Sequence, residues 1–145
     1  WGKDVKPGVV SKTGSTLDLL PTICRLAGVQ LPKDRVLDGY DLSPVFRGES
    51  AAPRDVMYFY HGTELFAVRK GAHKLYFKSN NPEGYPPKIE MLGTPTLFNV
   101  LTDPSERFDI AKENPALVSE LKKVAEAHRA TVEEVPNQLT KGWKK

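Results

Sequence analysis

Few residues in this chain are of types that do covalent or acid–base chemistry: one thiol, Cys24, three imidazoles, His61, His73 and His128, and a set of scattered carboxylates. Nucleophilic catalysis needs a nucleophile, a base within reach and a group that orients the base. Cys24 lies among leucines in an apolar helical stretch, where core packing is the expected use of a free thiol. None of the histidines is spaced to ligate a metal with another, and a single cysteine excludes both a disulfide framework and a multi-cysteine zinc site. G-x-S-x-G, H-E-x-x-H and phosphate-cradling glycine patterns are absent. Asp38 and Asp41 could form an acid–base pair, but their setting next to Ser43-Pro44 points to helix capping. No catalytic or metal-binding residue is therefore expected in these residues. His61 is the imidazole best placed to face a cleft, since it ends an aromatic strand just before a glycine turn. His128 reads as a residue at the boundary of the core, and His73 as an exposed turn residue.

A second feature is basic. Arg69, Lys70, Lys74 and Lys78 concentrate in one hairpin, with His73 between them. Such a patch could draw an anion. Lysine also guards sheet edges against pairing with other chains, and that is the preferred reading. Over the whole chain 21 basic residues face 18 acidic ones, for a net charge of +3. The charges are interspersed except in the tail Lys141-Gly142-Trp143-Lys144-Lys145, so no nucleic-acid partner is expected. No apolar run approaches the ~20 residues of a membrane span.

The elements that must position these residues divide near residues 48–54, where Gly48-Glu49-Ser50-Ala51-Ala52-Pro53-Arg54 reads as a linker. Residues 1–50 and 51–145 are thus read as two parts. In the first, Ser15 to Gly28 predicts a helix capped by Asp18, with Pro21 in its first turn and Gly28 just past its end. Leu19, Leu20, Ile23, Cys24, Leu26 and Ala27 leave it almost no polar face, so it expects protein on several sides. Ser43 or Asp41 caps a short second turn that begins at Pro44 and ends at Gly48.

In the second part the period changes to two. Val56–Tyr60, Leu65–Arg69 and Lys74–Phe77 predict an antiparallel meander, with Gly62-Thr63 and Gly71-Ala72 as type II′ turns. A long loop is expected from Ser79 to Thr94, then a fourth strand over Thr96–Val100 and a type I turn at Asp103-Pro104-Ser105-Glu106. From Pro115 to Val132, apolar residues at steps of three and four predict a long helix, with Asn114 as its N-cap. The fold class is α+β: a four-stranded antiparallel sheet packed by a long C-terminal helix, preceded by a helical segment. The strand Val56-Met57-Tyr58-Phe59-Tyr60 is large on both faces, and one helix covers only one of them.

Several of these strings, taken in order, resemble a known family. Ser15-Thr16-Leu17-Asp18-Leu19-Leu20-Pro21-Thr22-Ile23-Cys24-Arg25-Leu26-Ala27-Gly28 is similar to the helix that follows the catalytic core of type I sulfatases, in the alkaline phosphatase superfamily. Leu37-Asp38-Gly39-Tyr40-Asp41-Leu42-Ser43-Pro44 resembles the next signature of that family. Tyr58-Phe59-Tyr60-His61-Gly62, Ala67 to Lys74, Leu97-Phe98-Asn99-Val100 and Asp103 to Arg107 resemble its C-terminal subdomain, with the flavour of arylsulfatase A and N-acetylgalactosamine-6-sulfatase. The resemblance implies that residues 1–50 end a catalytic α/β domain and that the whole protein hydrolyses sulfuric esters. It implies a formylglycine made from an upstream residue, and a calcium ion held upstream. Cys24-Arg25-Leu26-Ala27 does not match the family's Cys-x-Pro-x-Arg motif. It implies a missing N-terminal catalytic domain as partner, a sulfated small molecule or glycan as substrate, and a periplasmic, secreted or lysosome-like location. Family geometry makes His61, Lys78, Asn80 and Asn81 the expected substrate-rim residues. A homodimer through exposed apolar surface is a further expectation. Two competing readings are a stand-alone module that binds sulfated glycans through the basic hairpin, and a phosphatase or phosphonate hydrolase on the same scaffold.

Overall fold

The computed structural model describes residues 5, 7–10, 13–49, 53–80 and 89–133; of Asn80, Ile89 and Glu90 it describes the backbone only. Asn81 and the basic tail lie outside the described residues. The chain forms two compact units, Trp1–Asp55 and Val56–Lys145.

In the first unit, a 3-10 turn over Thr16–Asp18 leads into α1, Leu19–Leu26. Ser15 and Asp18 form a capping box: the Asp18 carboxylate accepts the Ser15 N–H at 2.7 Å and the Ser15 hydroxyl accepts the Leu17 N–H. The expected cap is therefore corrected. Asp18 makes no side-chain cap to α1, because its carboxylate is committed elsewhere. It accepts the Tyr40 N–H at 2.9 Å and an ion-paired bond from Arg54, and it is 1% exposed. Three separate segments are thus tied at one buried carboxylate. Gly39 sits so close beneath this knot that a Cβ there would lie 2.0 Å from the Leu17 carbonyl oxygen.

Gly28 takes a left-handed φ of 68° just past α1, as the sequence predicts. In α2, Ser43–Phe46, the Asp41 carboxylate accepts the Ser43 N–H at 2.8 Å. Neither expected residue holds the cap position, which is Leu42 and carries no side-chain cap; Asp41 braces the turn from the residue before it. Cys24 is only half-buried, which corrects its expected place in a core. The cause is general to α1: Leu19, Leu20, Ile23 and Leu26 are all exposed within these residues.

The second unit is a sheet of order β1-β2-β3-β4, all antiparallel: β1 Val56–His61, β2 Glu64–Lys70, β3 His73–Asn80 and β4 Ile89–Asn99. Gly62 and Gly71 have φ of 60° and 55°, while neither Thr63 nor Ala72 has a positive φ. That combination is the type II′ pattern. The helix α3, Pro115–Arg129, lies over one face. Its Leu121 and Ala125 are buried against Leu65, Val68, Leu75, Phe77 and Leu97. Burying one leucine in this way contributes roughly 1.5–3 kcal/mol.

Two expectations change here. The loop expected from Ser79 to Thr94 is strand at both of its ends, because β3 runs on to Asn80 and β4 begins at Ile89; residues 81–88 lie outside the described residues. Gly93 and Pro95 punctuate a bulge instead of a loop: register is lost between Tyr76 and Lys78, which pair with Thr96 and Met91. Pro95 is tolerated because β4 is an outer strand, where a missing N–H breaks no inner ladder. Asn114 precedes α3 but does not cap it; its amide donates to the Ile110 carbonyl at 2.9 Å.

Burial alone would raise the Asp18 carboxyl, but the bonds from Arg54, Tyr40 and Ser15 outweigh it and hold the group below its ordinary value. A depressed native pKa gives stability that is present above the unfolded value of about 3.9 and lost as pH falls through the native one. Asp18→Asn should destabilise the first unit at neutral pH by about 3 kcal/mol, the cost of leaving a buried partner unpaired. It should also flatten the acid limb of unfolding, followed by NMR signals of residues 15–47.

Candidate functional site

The hairpin between β1 and β2 carries His61 to one end of the sheet. The imidazole is exposed and lies against Phe66, with ring centroids 5.5 Å apart and planes 27° apart. His61 pairs in register with Glu64. The Glu64 carboxylate in turn accepts a bond from the Lys78 ammonium at 2.6 Å. Asn80 closes β3 at the same end, so three of the four residues expected at a substrate rim lie toward one end of the sheet; the fourth, Asn81, lies outside the described residues.

Strand alternation places Lys74, Tyr76 and Lys78 on the face away from α3, together with Phe59 and Phe98. Here a second charge centre is built on Glu106. Its backbone is left-handed, φ 53°, at the end of the Asp103 turn, where its N–H bonds the Asp103 carbonyl at 3.1 Å. That geometry aims the carboxylate back at the sheet. It accepts from Lys74 at 2.9 Å and from the Tyr76 hydroxyl at 2.5 Å. The Lys74 ammonium also lies over the rings of Phe59 and Tyr76, at 4.4 and 4.6 Å. Burial alone would lower the lysine, but its bonds to Tyr76 and Glu106 outweigh it and raise it. Tyr76 is raised by burial and then by its bond to Glu106.

The basic hairpin is thus not a free cationic patch. Lys70 pairs with Glu120 at 2.7 Å, Lys74 with Glu106 and Lys78 with Glu64, while the Arg69 guanidinium donates to the Gly71 carbonyl. The reading of these lysines as edge guards is also corrected for Lys74 and Lys78, since β3 is paired on both sides. His73 is half-buried, paired between Lys70 and Asn99, because the turn before it is tight enough to draw it into the ladder. His128 stacks on Tyr58 at 3.6 Å, as a residue at the core boundary should.

Between Lys78 and Glu106 runs a groove of about 410 Å³. Sequence reasoning missed Glu64 and Glu106, which organise this face. Glu106 showed only as a turn residue, and its partners are 30 and 32 positions away. Among the described residues, no three His, Cys, Asp or Glu side chains converge on a point where a metal could sit. Nor is any helix of the described residues long and apolar enough to cross a membrane.

A four-stranded antiparallel sheet under one C-terminal helix, with polar residues gathered at one end, defines a small α+β domain. A family model described as the C-terminal region of aryl-sulfatase matches residues 52–145, and the chain belongs to that family. Steryl-sulfatase of Mus musculus is 31% identical over 96% of this chain, and arylsulfatase A of Bos taurus 31% over 98%. The chain spans 26% and 32% of the length of those two relatives. Among solved structures, a sulfatase from Pseudoalteromonas sp. superposes with a TM-score of 0.67 at 28% identity, over 83% of this chain and 26% of that one. A chain from work on glycosaminoglycan metabolism by Bacteroides thetaiotaomicron superposes with a TM-score of 0.70 at 27% identity, over 90% of this chain and 28% of that one.

Glu106→Gln removes the charge that disfavours ionised Tyr76. The Tyr76 ring carbon resonance should then titrate at lower pH than in the wild type. An unchanged titration would show that the carboxylate and hydroxyl are not bonded in solution.

Proposed function

We propose that this chain is the supporting and substrate-rim region of a longer sulfuric ester hydrolase, and that the reacting groups lie outside it. The observation that carries this reading is the length relation: nearly all of the chain aligns with less than a third of each relative. On this reading residues 1–50 complete the catalytic domain. Calcium and formylglycine belong to the remainder of the protein, as does any exported location, whether periplasmic, secreted or lysosome-like.

Helix α1 supports the same reading. Leu19, Leu20, Ile23 and Leu26 are 58%, 50%, 59% and 43% exposed, and beside them runs an apolar groove lined by Leu42 and Phe46. An exposed apolar face of this kind marks an interface. The rest of the longer protein is the occupant proposed, and a second copy of this chain is the competing one. Light scattering of the purified chain separates them, since a clean monomer removes the dimer.

At the rim, His61 offers an exposed imidazole for a direct substrate contact, with Lys78 and the backbone of Asn80 toward the same end of the sheet and Asn81 as the next residue in sequence. The stand-alone glycan-binding alternative loses its main support, because Lys70, Lys74 and Lys78 each already hold a carboxylate. It still predicts salt-sensitive binding of a sulfated polysaccharide, weakened by Lys74→Ala.

The 145-residue chain should not turn over an aryl sulfate in the presence of calcium. Robust turnover would overturn the reading. In the longer protein, His61→Ala should raise KM about 5- to 30-fold and leave kcat nearly unchanged, the signature of a lost uniform binding contact worth roughly 1–2 kcal/mol. An unaltered KM would remove His61 from the rim.

A further inference from the structure

The groove on the sheet face away from α3 has a chemical character that the rim role does not explain. Its apolar surface is mainly aromatic: Phe66, Tyr76 and Phe98 line it with Leu92, and the Tyr76 and Phe98 rings meet edge-on, 80° apart with centroids at 6.0 Å. Polar atoms sit along its margins, on Lys78, Thr96 and Glu106. The two margin charges are already matched, Lys78 by Glu64 and Glu106 by Lys74. A groove built in this way has no net charge to offer an anion. What it offers is aromatic surface for an apolar ring face, and fixed donors and acceptors for hydroxyls at a ring's edge.

We propose that this groove binds an uncharged, polyhydroxylated ring, a neutral pyranose unit of a glycan, and not a sulfate group. The ring's C–H face lies against Phe98 and Leu92, which line the groove and are only partly buried. Its equatorial hydroxyls reach the spare lone pairs of Glu106 on one side and the Lys78–Glu64 pair on the other. Both margins are held before the ligand arrives: Glu106 is locked by Lys74 and Tyr76, and Lys78 by Glu64. Preformed hydrogen-bonding groups reduce the ordering cost of binding. The volume, about 410 Å³, lies within the ordinary range for small-molecule sites of roughly 300–1,000 Å³. The inference shares Lys78 with the rim reading but is complete within residues 56–145. Binding here requires nothing outside this chain.

The test is saturation-transfer NMR on the 145-residue chain, with irradiation of its aromatic protons. The probes are methyl β-D-galactopyranoside and methyl β-D-glucopyranoside, with methyl sulfate and phenol as controls. Transfer to the ring protons of at least one pyranoside is expected. It should persist in about 0.5 M salt, where surface charge attraction is screened within a few Å. Phe98→Leu, which keeps apolar volume but removes the ring, should reduce it about fivefold, in line with a lost aromatic contact of roughly 1 kcal/mol. Thr96→Val is nearly isosteric and should weaken it less. No transfer to either pyranoside overturns the proposal, as does transfer to phenol alone or a signal indifferent to Phe98→Leu. Transfer to methyl sulfate that salt abolishes would overturn it in favour of an anion site. These outcomes are independent of the rim role, which stands or falls on the KM of His61→Ala.

Discussion

The second unit depends on the burial of one helical stripe, Leu121 and Ala125 of α3, against Val68, Leu75 and Leu97 of the sheet. This contact has a directional consequence. A single helix covers one face, so alternation along each strand sends Phe59, Tyr76 and Phe98 to the other, and the register shift opposite Phe59 and Tyr60 lets Phe66 join them. That second face is not left bare. The Asp103–Glu106 turn folds back over it, and Glu106 anchors the turn by accepting from Lys74 and Tyr76. Packing on one side therefore leaves an aromatic floor on the other, and a left-handed turn residue supplies one wall of the groove above it.

Charge follows the same economy. The basic hairpin suggests an anion-binding surface when only its own residues are considered. In three dimensions its lysines meet Glu120, Glu106 and Glu64, which come from α3, from the turn after β4 and from the start of β2. Exposed pairs such as Lys70–Glu120 contribute ~0–1 kcal/mol. Their larger effect is on recognition, because they match the charges of Lys70, Lys74 and Lys78 and leave His61 as an exposed imidazole at the end of the sheet. In the first unit the buried Asp18 takes the corresponding role. It gathers Ser15, Tyr40 and Arg54 and fixes the path of the chain around α1.

Much of this was legible in the sequence, for identifiable reasons. The stripe of α3, the glycines at positions 62 and 71 and the alternation of β1 to β3 are local signals, and each matched its element. The start of β4 was hidden because Gly93 and Pro95, ordinarily loop markers, sit in a bulge of an outer strand. The role of Asp18 was misread because capping is local, whereas Arg54 lies 36 residues away. The candidate site divided in the same manner. His61 was visible from its position before a glycine turn. Glu64 and Glu106 were not, because their value comes from partners that only the fold brings together.

The central claim is that this region supports and borders chemistry carried elsewhere, with α1 presenting an apolar face to the remainder of the protein. Hydrogen exchange over Leu19–Leu26 tests it most directly, compared between the 145-residue chain and the longer protein that contains it. The account predicts fast exchange in the chain alone and exchange slowed by orders of magnitude in the longer protein, as exposed backbone becomes part of a packed interface. Equal protection in both would contradict it, since α1 would then have no partner to gain.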